Sequence, residues 1–560
     1  MDLVIQTILE EILSQQPHNK AELNDIRRKV AGKLKTRQPS NIQLLTYYHI
    51  LLKKKSIIKD ETIETLLRKA DIRSGSGIAV VASLIKPYAC PGKCIYCPTE
   101  VKMPKSYIAT EPAAARALAL AFSPYEQMRR RILMLEKNGH PTEKIEYILK
   151  GGTWNAYPLK YQYWFLMESF KACNNLSRRI KKDSTEEKYW TKKTLTDLQT
   201  EMSIEQEYND KKAKYKIIGL TLETRPDAIS TKTIYHMRRQ GCTRIELGLQ
   251  APDDKILTLI QRGHTVQQFR DAIFFLRQAG FKVDLHFMPD LPGTTATHDI
   301  DMYTSLFHDE GLKPDMVKIY PCTVIKSAEL YQWYKTKKYK PYAEKDLFDA
   351  LLEMKKTTPY YCRISRLIRD IPSTEIQAGN AITNLRENLK KTLHQQGFFC
   401  KCLRCREVSH AEKIHHIQAI DYTTQLFIET YTTIGGTEYF LSFEDKKRRI
   451  VYAFLRLRLP TYTDKIQKSL DLEKLLRLGN LDDTAFVREL HTYGQLVQVG
   501  STDKDASQHK GLGKKLIREA EKIAQKNGFK KIAVISGVGV RDYYRKNGFS
   551  KRGEYMIKGL

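Results

Sequence analysis

The sequence predicts an α/β protein built on a partial βα barrel, with a helical domain before it and a smaller α/β domain after it. Between Ile78 and about Ser373, short β-rich runs alternate with helical patterns, as in parallel strands joined by crossover helices. Residues 1–75 show helical periodicity, and residues 421–560 have a strand and helix order of their own. We therefore predict four units, at residues 1–75, 76–390, 391–420 and 421–560.

Composition indicates a cytoplasmic protein with a polyanionic partner. The 560 residues include 94 Lys and Arg against 64 Asp and Glu, a net charge of +30. Nucleic acid is the usual partner of such an excess, and an AT-rich genome that encodes lysine freely is the alternative. No apolar stretch approaches the roughly 18 residues of a membrane span, and no secretion signal is evident. Six of the ten cysteines fall in two tight clusters, which is typical of a metal protein in a reducing compartment.

The first 75 residues predict helices with a basic surface. Apolar residues recur at helical spacing in the segments 4–13 and 44–52. Basic residues, including Arg27, Arg28 and Lys33, lie between these segments, and Lys53–Lys55 follow the second. This pattern predicts a domain that binds RNA through its phosphates, with an ordinary solvated surface as the alternative.

Six strands are predicted for the barrel: Ile78–Ile85, Lys144–Leu149, Tyr215–Leu222, Arg244–Leu249, Lys282–Met288 and Asp315–Tyr320. Functional residues of such barrels lie at the carboxyl ends of strands. We therefore predict that Gly151, Gly152, Glu223 and Arg225 contact a cofactor. The charged segment 174–214 interrupts the pattern and is predicted to be a surface insertion that is helical or partly disordered, with no assigned role.

Three cysteines, Cys90, Cys94 and Cys97, follow the first predicted strand. Their C-x3-C-x2-C spacing leaves one iron of a 4Fe–4S cluster without a protein ligand and open to a small molecule. The run resembles that of the radical S-adenosylmethionine (SAM) enzymes, which implies a 4Fe–4S cluster with SAM on the open iron. The alternative is a zinc knuckle, but such sites usually pair two C-x2-C units or add histidines, and no histidine is near.

A second cysteine cluster, Cys400, Cys402 and Cys405, lies in the segment before the last domain. Three cysteines in six residues predict a structural zinc site, since three free thiols rarely pack so closely without a metal. The fourth ligand is either Cys322 or a nearby histidine. The candidate histidines are His394, His410, His415 and His416.

The last domain contains a motif for binding a coenzyme pyrophosphate. We predict strands at Ile450–Leu457, Glu489–Val499, Lys531–Ser536 and near Tyr555–Ile557, and helices at 514–527 and 540–547. The run Gln508-His-Lys-Gly511-Leu-Gly513 precedes the first helix, where small residues and a helix N-terminus suit a pyrophosphate. This arrangement resembles the GNAT acetyltransferases. It implies acetyl-coenzyme A, with Tyr544, or else Tyr543, protonating the leaving thiolate.

Longer strings of residues resemble the catalytic-subunit family of Elongator, in its stand-alone prokaryotic form. The strings include Glu111-Pro112, Pro124-Tyr125-Glu126-Gln127, Gly139-His140, Gly151-Gly152-Thr153, Glu223-Thr224-Arg225-Pro226-Asp227, Arg262-Gly263-His264-Thr265, Arg488-Glu489-Leu490-His491 and Tyr543-Tyr544-Arg545-Lys546. The resemblance implies acetyl-coenzyme A contacts at Glu489, Leu490, His491, Thr492, Leu512, Gly513, Lys514 and Tyr544. It further implies that Lys144 reaches the coenzyme from the barrel domain and takes part in catalysis with Tyr544.

The resemblance implies an enzyme that modifies uridine 34 of tRNA. Acetyl-coenzyme A would supply the acetyl group, and a SAM-derived radical would take a hydrogen from its methyl carbon. That carbon would then add to C5 of the wobble base, which ends as 5-carboxymethyluridine. The base must be splayed out of the anticodon stem-loop to react. A protein lysine acetyltransferase and a non-catalytic RNA-binding subunit are the alternatives, and a homodimer stays open.

Overall fold

The computed structural model describes residues 2–68, 77–177, 185–382, 384–408, 424–461, 483–493 and 511–560. The helices are α1 Asp2–Gln15, α2 Lys20–Lys33, α3 Asn41–Lys53, α4 Glu61–Leu67, α5 Pro112–Ala119, α6 Pro124–Lys137, α7 Leu159–Asn174, α8 Thr185–Lys192, α9 Leu195–Lys211, α10 Thr231–Arg239, α11 Asp254–Leu259, α12 Val266–Gln278, α13 Ala296–Ser305, α14 Leu330–Lys335, α15 Glu344–Thr357, α16 Leu385–Gln395, α17 Leu403–Arg406, α18 Leu512–Lys526 and α19 Arg541–Arg545. The strands are β1 Ala79–Leu84, β2 Lys144–Lys150, β3 Lys216–Thr224, β4 Arg244–Gln250, β5 Lys282–Phe287, β6 Met316–Ile319, β7 Thr323–Ile325, β8 Arg363–Arg366, β9 Ile376–Gly379, β10 Gln425–Thr433, β11 Gly436–Glu444, β12 Val451–Pro460, β13 Thr484–Thr492, β14 Lys531–Val534, β15 Ser550–Arg552 and β16 Tyr555–Gly559. No helix within these ranges is both long and apolar enough to cross a membrane.

Seven parallel strands form the barrel sheet, in the order β1-β2-β3-β4-β5-β6-β8. The six predicted strands are all present, and the predicted fold class is confirmed. The short strand β8 was not predicted, because Arg363–Arg366 is a four-residue run that carries two arginines. Since the strands are parallel, their carboxyl ends lie together at one end of the sheet, where a common site can form.

The N-terminal helices α1 to α4 pack around their own apolar core, which includes Ile8, Leu9, Leu44 and Leu45. The Asn19 side chain caps α2 by accepting from the backbone N–H groups of residues 21 and 22. Side-chain caps of this kind satisfy donors that the first helical turn leaves free.

Not all basic residues of these helices are available to a ligand. Arg27 donates to the Asn41 side chain over 2.8 Å and to the Pro39 carbonyl over 2.6 Å, so it holds two segments of the domain together. Of the RNA-binding residues predicted here, Arg27 is thus engaged inside the domain. Exposed basic side chains remain at Arg28, Lys29, Lys33, Lys35, Arg37, Lys53, Lys54 and Lys55.

The C-terminal domain is a second seven-stranded sheet, in the order β10-β11-β12-β13-β14-β16-β15. Only β13 and β14 pair in parallel, and they do so from Thr484 to Val487. The predicted start of this strand at Glu489 was wrong: β13 begins at Thr484, because the β-forming residues 484–487 are buried there. The predicted residues 494–499 lie outside the described ranges. Beyond Val487, β13 pairs only with β12, so one edge of its last half is free of a strand partner within the described chain.

The barrel and the C-terminal domain share one continuous apolar core, to which Phe281 of the barrel and Phe486 and Tyr555 of the C-terminal domain all belong. The segment at Gly537 lies so close to β3 that a Cβ there would be 1.9 Å from the Ile218 carbonyl oxygen, which leaves room only for glycine. The Tyr555 hydroxyl donates to the Ala279 carbonyl over 2.7 Å. This packing fixes the two domains relative to each other.

Helix α9, which lies in the charged segment 174–214, also joins the two domains. Leu198 and Met202 bury one of its faces, and the Asp210 carboxylate accepts from Arg545 of the C-terminal domain. The prediction of a helical insertion is confirmed for α8 and α9, while residues 178–184 lie outside the described ranges. The segment therefore has a structural contact that its sequence did not indicate.

Buried ion pairs add to this interface. The Asp315 carboxylate, which precedes β6, accepts from Arg488 of β13 through both of its oxygens, over 2.5 and 2.8 Å. Glu489 accepts from Lys282 of the barrel over 3.0 Å and from Arg456 of β12 over 2.9 Å. These charges are nearly or fully removed from water, where an unpaired charge would be costly. Burial opposes ionisation of both acids, but the adjacent cations lower the pKa of Asp315 and bring the pKa of Glu489 to about 2.

We expect acid to destabilise the interface. A carboxyl group whose pKa is depressed on folding stabilises the folded state fully above its unfolded pKa, near 4.5 for Glu489, and loses that contribution as the pH falls towards about 2. Glu489 alone should contribute on the order of 3 kcal/mol to the free energy of unfolding, and this contribution should be lost as the pH falls through that range. Thermal unfolding between pH 6 and 2.5 measures the loss. Glu489→Gln should be less stable than the wild type at pH 6 and lose less on acidification, and parallel curves for the two proteins would contradict the assignment.

Candidate active sites

A cleft opens at the carboxyl ends of the barrel strands and encloses about 1170 Å³ of empty space, its open mouth included. Its walls include all three cysteines of the first cluster. They also include Gly152, Glu223 and Arg225, three of the four residues predicted to contact a cofactor. The loop after β1 carries the cysteines, because the chain leaves the sheet there and turns over its end.

Cys94 is the most buried of the three cysteines, and two arginines point at its sulfur. Arg262 donates to Sγ over 3.4 Å, and an Arg225 nitrogen lies 4.0 Å from it. A hydrogen bond from Cys97, together with the Arg262 charge, lowers the pKa of Cys94 far below that of a free thiol. A Cβ at Gly92 would lie 2.2 Å from the Arg225 guanidinium, so glycine is needed for this approach. The site therefore favours thiolate, which is the form that binds metal.

Glu223 is the penultimate residue of β3 and lies at the wall of the cleft. One of its oxygens accepts from the Tyr107 hydroxyl over 2.8 Å and from the backbone N–H of Gly151 over 3.2 Å. Gly151 has φ +142°, and a Cβ there would lie 2.1 Å from the Ile85 side chain, so the close turn at this point requires glycine. Tyr107 was not found from the sequence, because it lies 116 residues from its partner.

Several polar residues of the barrel strands, including Glu246, Gln250 and His286, line the cleft. Lys318 of β6 pairs with Glu246 of β4, and His286 of β5 lies 3.5 Å from the same carboxylate oxygen. Burial opposes ionisation of Glu246, but the adjacent Lys318 ammonium holds its pKa below the ordinary value. The second oxygen of Glu246 and the amide oxygen of Gln250 are buried without a hydrogen-bond partner among the described residues. Polar atoms of this kind normally have partners, so they are available to a bound molecule.

A second candidate site lies where β13 separates from β14. Residues 489–492 form the free edge of β13, and α18 begins opposite them at Leu512, after Gly511 with φ +95°. A Cβ at Gly513 would lie 2.6 Å from the Tyr543 hydroxyl and 3.5 Å from Thr492, so these three groups converge. Free strand edges and helix N-termini offer backbone N–H groups to an extended coenzyme. Gln508, the first residue of the predicted loop, lies outside the described ranges.

The two tyrosines occupy different surroundings beside this site. Tyr543 is 37% exposed, whereas Tyr544 packs edge-on against Phe549 in the domain core, which also contains Leu512. Burial raises the pKa of Tyr544 well above its ordinary value, so its hydroxyl carries a proton at neutral pH. Within the described chain, that hydroxyl makes no hydrogen bond.

The other predicted coenzyme contacts lie on the faces that adjoin this site. The Glu489 side chain is occupied by its ion pairs, which leaves its backbone for a ligand. Burial lowers the pKa of His491 to about 4, and its ring stacks on Phe454.

Lys144 is exposed at the start of β2 and lies opposite Lys216 of β3 in the sheet. Gly539 of the C-terminal domain packs against Lys216. Lys514 is exposed in the first turn of α18. The barrel end that carries Lys144 therefore faces the C-terminal domain.

The second cysteine cluster has the geometry of a site for one metal ion. The sulfurs of Cys400, Cys402 and Cys405 all lie within 4.8 Å of one another. The Lys355 ammonium nitrogen lies 3.4 Å from the Cys400 sulfur. Burial alone would lower the pKa of Lys355, but the charges of the three cysteine sulfurs outweigh burial and raise it. A lysine ammonium at this distance would offset the negative charge of three thiolates. Cys322 is not part of the group, and His394 packs edge-on against Phe399 instead. The other candidate histidines lie outside the described ranges.

We expect this cluster to hold zinc. Replacing Cys400, Cys402 and Cys405 with alanine should release one zinc per chain and lower the melting temperature, since metal binding at such sites contributes folding energy. Elemental analysis and thermal unfolding measure the two effects. Lys355→Met, which removes the ammonium and keeps every sulfur, should retain zinc with weaker affinity. Equal zinc content in the wild type and the cysteine variant would rule the site out.

Comparison with known proteins places both sites in known families. Residues 84–305 match the radical SAM superfamily, residues 314–395 match a radical SAM C-terminal domain, and residues 502–549 match the GNAT acetyltransferase family. The tRNA uridine(34) acetyltransferase of Methanocaldococcus jannaschii is 39% identical over 100% of this chain and 98% of its own length. The chain belongs to the Elongator complex protein 3 family. The human Elongator complex protein 3 is 34% identical over 100% of this chain and 97% of its own.

A solved structure of this family has the same fold. The archaeal Methanocaldococcus infernus Elp3 with an N-terminal deletion matches with a TM-score of 0.70 and 38% identity, over 87% of this chain and 100% of that chain. This Elongator complex protein 3 family member is therefore an acetyltransferase of the radical SAM class. Its radical SAM domain implies SAM and an iron–sulfur cluster, and its GNAT domain implies acetyl-coenzyme A.

The residues of the cleft fit these groups. The sulfurs of Cys90, Cys94 and Cys97 do not all lie within 4.8 Å of one another. This wider spacing suits a multi-iron cluster better than a single ion. The arginines beside Cys94 favour its thiolate form, and the orphaned polar atoms of the cleft remain for bound molecules. The acidic Glu223 suits a positively charged amino group of the kind that SAM carries.

Proposed function

We propose that this protein is a tRNA uridine(34) acetyltransferase that forms 5-carboxymethyluridine. The observation that carries the proposal is the retention of both sites in one chain, with their domains fixed together by a shared core and buried ion pairs. Relatives that match along the whole chain are named tRNA uridine(34) acetyltransferase. A protein lysine acetyltransferase would need only the coenzyme site of the C-terminal domain. The cleft and its cysteines would then have no function in the reaction.

Different residues of the chain serve the two sites. We assign acetyl-coenzyme A to the free edge of β13 and the start of α18, with Lys144 contacting the coenzyme from the barrel. Water would attack the thioester carbonyl and take up the acetyl group as the C–S bond breaks, and Tyr544 would donate a proton to the leaving thiolate. We assign SAM to the cleft, at Gly151, Gly152, Glu223 and Arg225. A bound cluster with SAM would supply a radical able to take hydrogen from an unactivated carbon.

The tRNA would bind by its backbone to exposed basic residues. Lys33, Lys35 and Lys53–Lys55 are exposed on the N-terminal domain, and the whole chain carries a net charge of +30. Contacts to phosphate make affinity depend steeply on salt. The anticodon base would leave its stack to reach the cleft, whose lining includes both apolar and polar residues.

We expect tRNA to accelerate acetyl-coenzyme A turnover by the anaerobically purified protein. If tRNA is the acceptor, the acetyl group is used only when tRNA is bound. Release of free coenzyme A, measured with and without tRNA, tests this. Charge reversal of Lys33 and Lys35 should weaken tRNA binding, lower its salt slope by about one unit for each lost phosphate contact, and raise the tRNA concentration needed for stimulation. Turnover that ignores tRNA but rises with a lysine peptide would favour the protein acetyltransferase.

A further inference from the structure

Cationic side chains lie at the carboxyl ends of β2, β6 and β8, and those of Lys150 and Arg366 line the cleft. Lys318 is paired with Glu246, and Arg366 is paired with Asp370 over 2.8 Å. Lys150 is the third, and it makes no hydrogen bond or ion pair through its side chain within the described chain, although it lines the cleft. Its backbone carbonyl accepts from Ile85, which fixes the residue at the end of β2.

The other charged residues of the cleft wall already have partners. Arg369 donates to Glu111 over 2.8 Å, and Lys105 donates to the Gly92 carbonyl over 2.8 Å. Arg225 pairs with Asp227, Arg262 donates to the Cys94 sulfur, and Glu223 accepts from Tyr107. Among the described residues of the cleft, Lys150 is therefore the cation that can bind a ligand without losing an existing ion-pair or hydrogen-bond partner. A half-buried ammonium without a partner is costly, and an anionic ligand would remove that cost.

We propose that Lys150 binds the carboxylate of the two-carbon group that is attached to the wobble uridine. The inference rests on the proposed function and names the part of its product that this site recognises. One positive charge without an ion-pair partner matches the single negative charge of a carboxylate. The residue lies directly before Gly151 and Gly152, so this charge is at the strand end where the proposed chemistry takes place. Burial, with Arg366 and Lys318 nearby, lowers the pKa of Lys150 by more than Glu223 and Glu246 raise it, and a carboxylate at the site would favour its charged form.

Three anticodon stem-loops test the proposal, with uridine 34 unmodified, carrying a carboxymethyl group, or carrying the neutral methyl ester of that group. Binding to cluster-loaded protein is measured without a reductant, so that no turnover occurs. The wild type should bind the carboxylate about 10- to 100-fold more tightly than the ester, as expected for a hydrogen bond to a charged group. Lys150→Met should remove this preference while binding the other two RNAs normally. Lys150→Arg should retain part of it.

Controls separate this site from its alternatives. Lys345→Met removes the same charge from an exposed helix face, where Lys345 pairs with Asp349, and should keep the carboxylate preference. Equal binding of the carboxylate and the ester by the wild type would overturn the proposal without any variant, so misfolding of Lys150→Met cannot hide the result. If Lys150→Met keeps the preference but loses affinity for SAM, Lys150 belongs to the SAM site and the proposal is wrong. Failure to bind any of the RNAs would contradict the proposed function as well.

Discussion

Replacing Cys90, Cys94 and Cys97 together with alanine is expected to abolish both the iron content of anaerobically purified protein and its reductive cleavage of SAM. The three sulfurs are the cysteine ligands that the cleft offers, and Arg262 and Arg225 stabilise the thiolate of Cys94. Without them, no cysteine remains among the described residues that line this end of the barrel. Iron analysis, visible absorbance and 5′-deoxyadenosine release measure the loss.

The second cysteine cluster supplies the matched control. The variant that lacks Cys400, Cys402 and Cys405 removes three cysteines as well, yet it should retain close to four irons per chain and lose zinc instead. Iron content that stays unchanged in the first variant, or falls equally in both, would contradict the assignment of the cluster to the cleft. A single change, Arg262→Met, should keep iron but make its loss in air faster, because the Cys94 thiolate would lose its nearest cation.

Tyr544→Phe is expected to lower acetyl-coenzyme A turnover by roughly 10²- to 10⁴-fold, the usual cost of losing one general acid. The phenyl ring keeps its packing against Phe549, and burial keeps the tyrosine protonated at neutral pH, so only the proton donor is removed. The affinity for tRNA should change little, because the tyrosine lies in the core of the C-terminal domain and away from the basic helices.

Tyr543→Phe is the control with the same chemical change one residue away. The Tyr543 hydroxyl lies against Gly513, at the start of the helix that faces the proposed coenzyme site. We expect its loss to raise the KM for acetyl-coenzyme A with less than a tenfold effect on kcat. If the two variants exchange these effects, the proton donor is Tyr543, and the role assigned to Tyr544 by resemblance is wrong.

The sequence by itself determined the elements whose signals are local. Apolar periodicity located all six predicted barrel strands, and cysteine spacing distinguished a cluster motif from a single-metal motif. The glycine-rich run placed the start of α18. These signals need only neighbours a few residues apart, because strand and helix periods and the spacing of metal ligands are set along the chain.

The tertiary structure decided which charged residues are free and which are occupied. Arg27 was predicted to bind RNA but holds its own domain together, while Lys355 lies beside sulfurs 45 and 50 residues away. The partners of Glu246 and of Asp315 could not be predicted either, since each pair joins residues 72 or more positions apart. A charged side chain has the same local pattern on a surface, in an ion pair or in a cleft. Only folding brings its partner close, and burial then determines whether the charge is paired, shifted in pKa or left for a ligand.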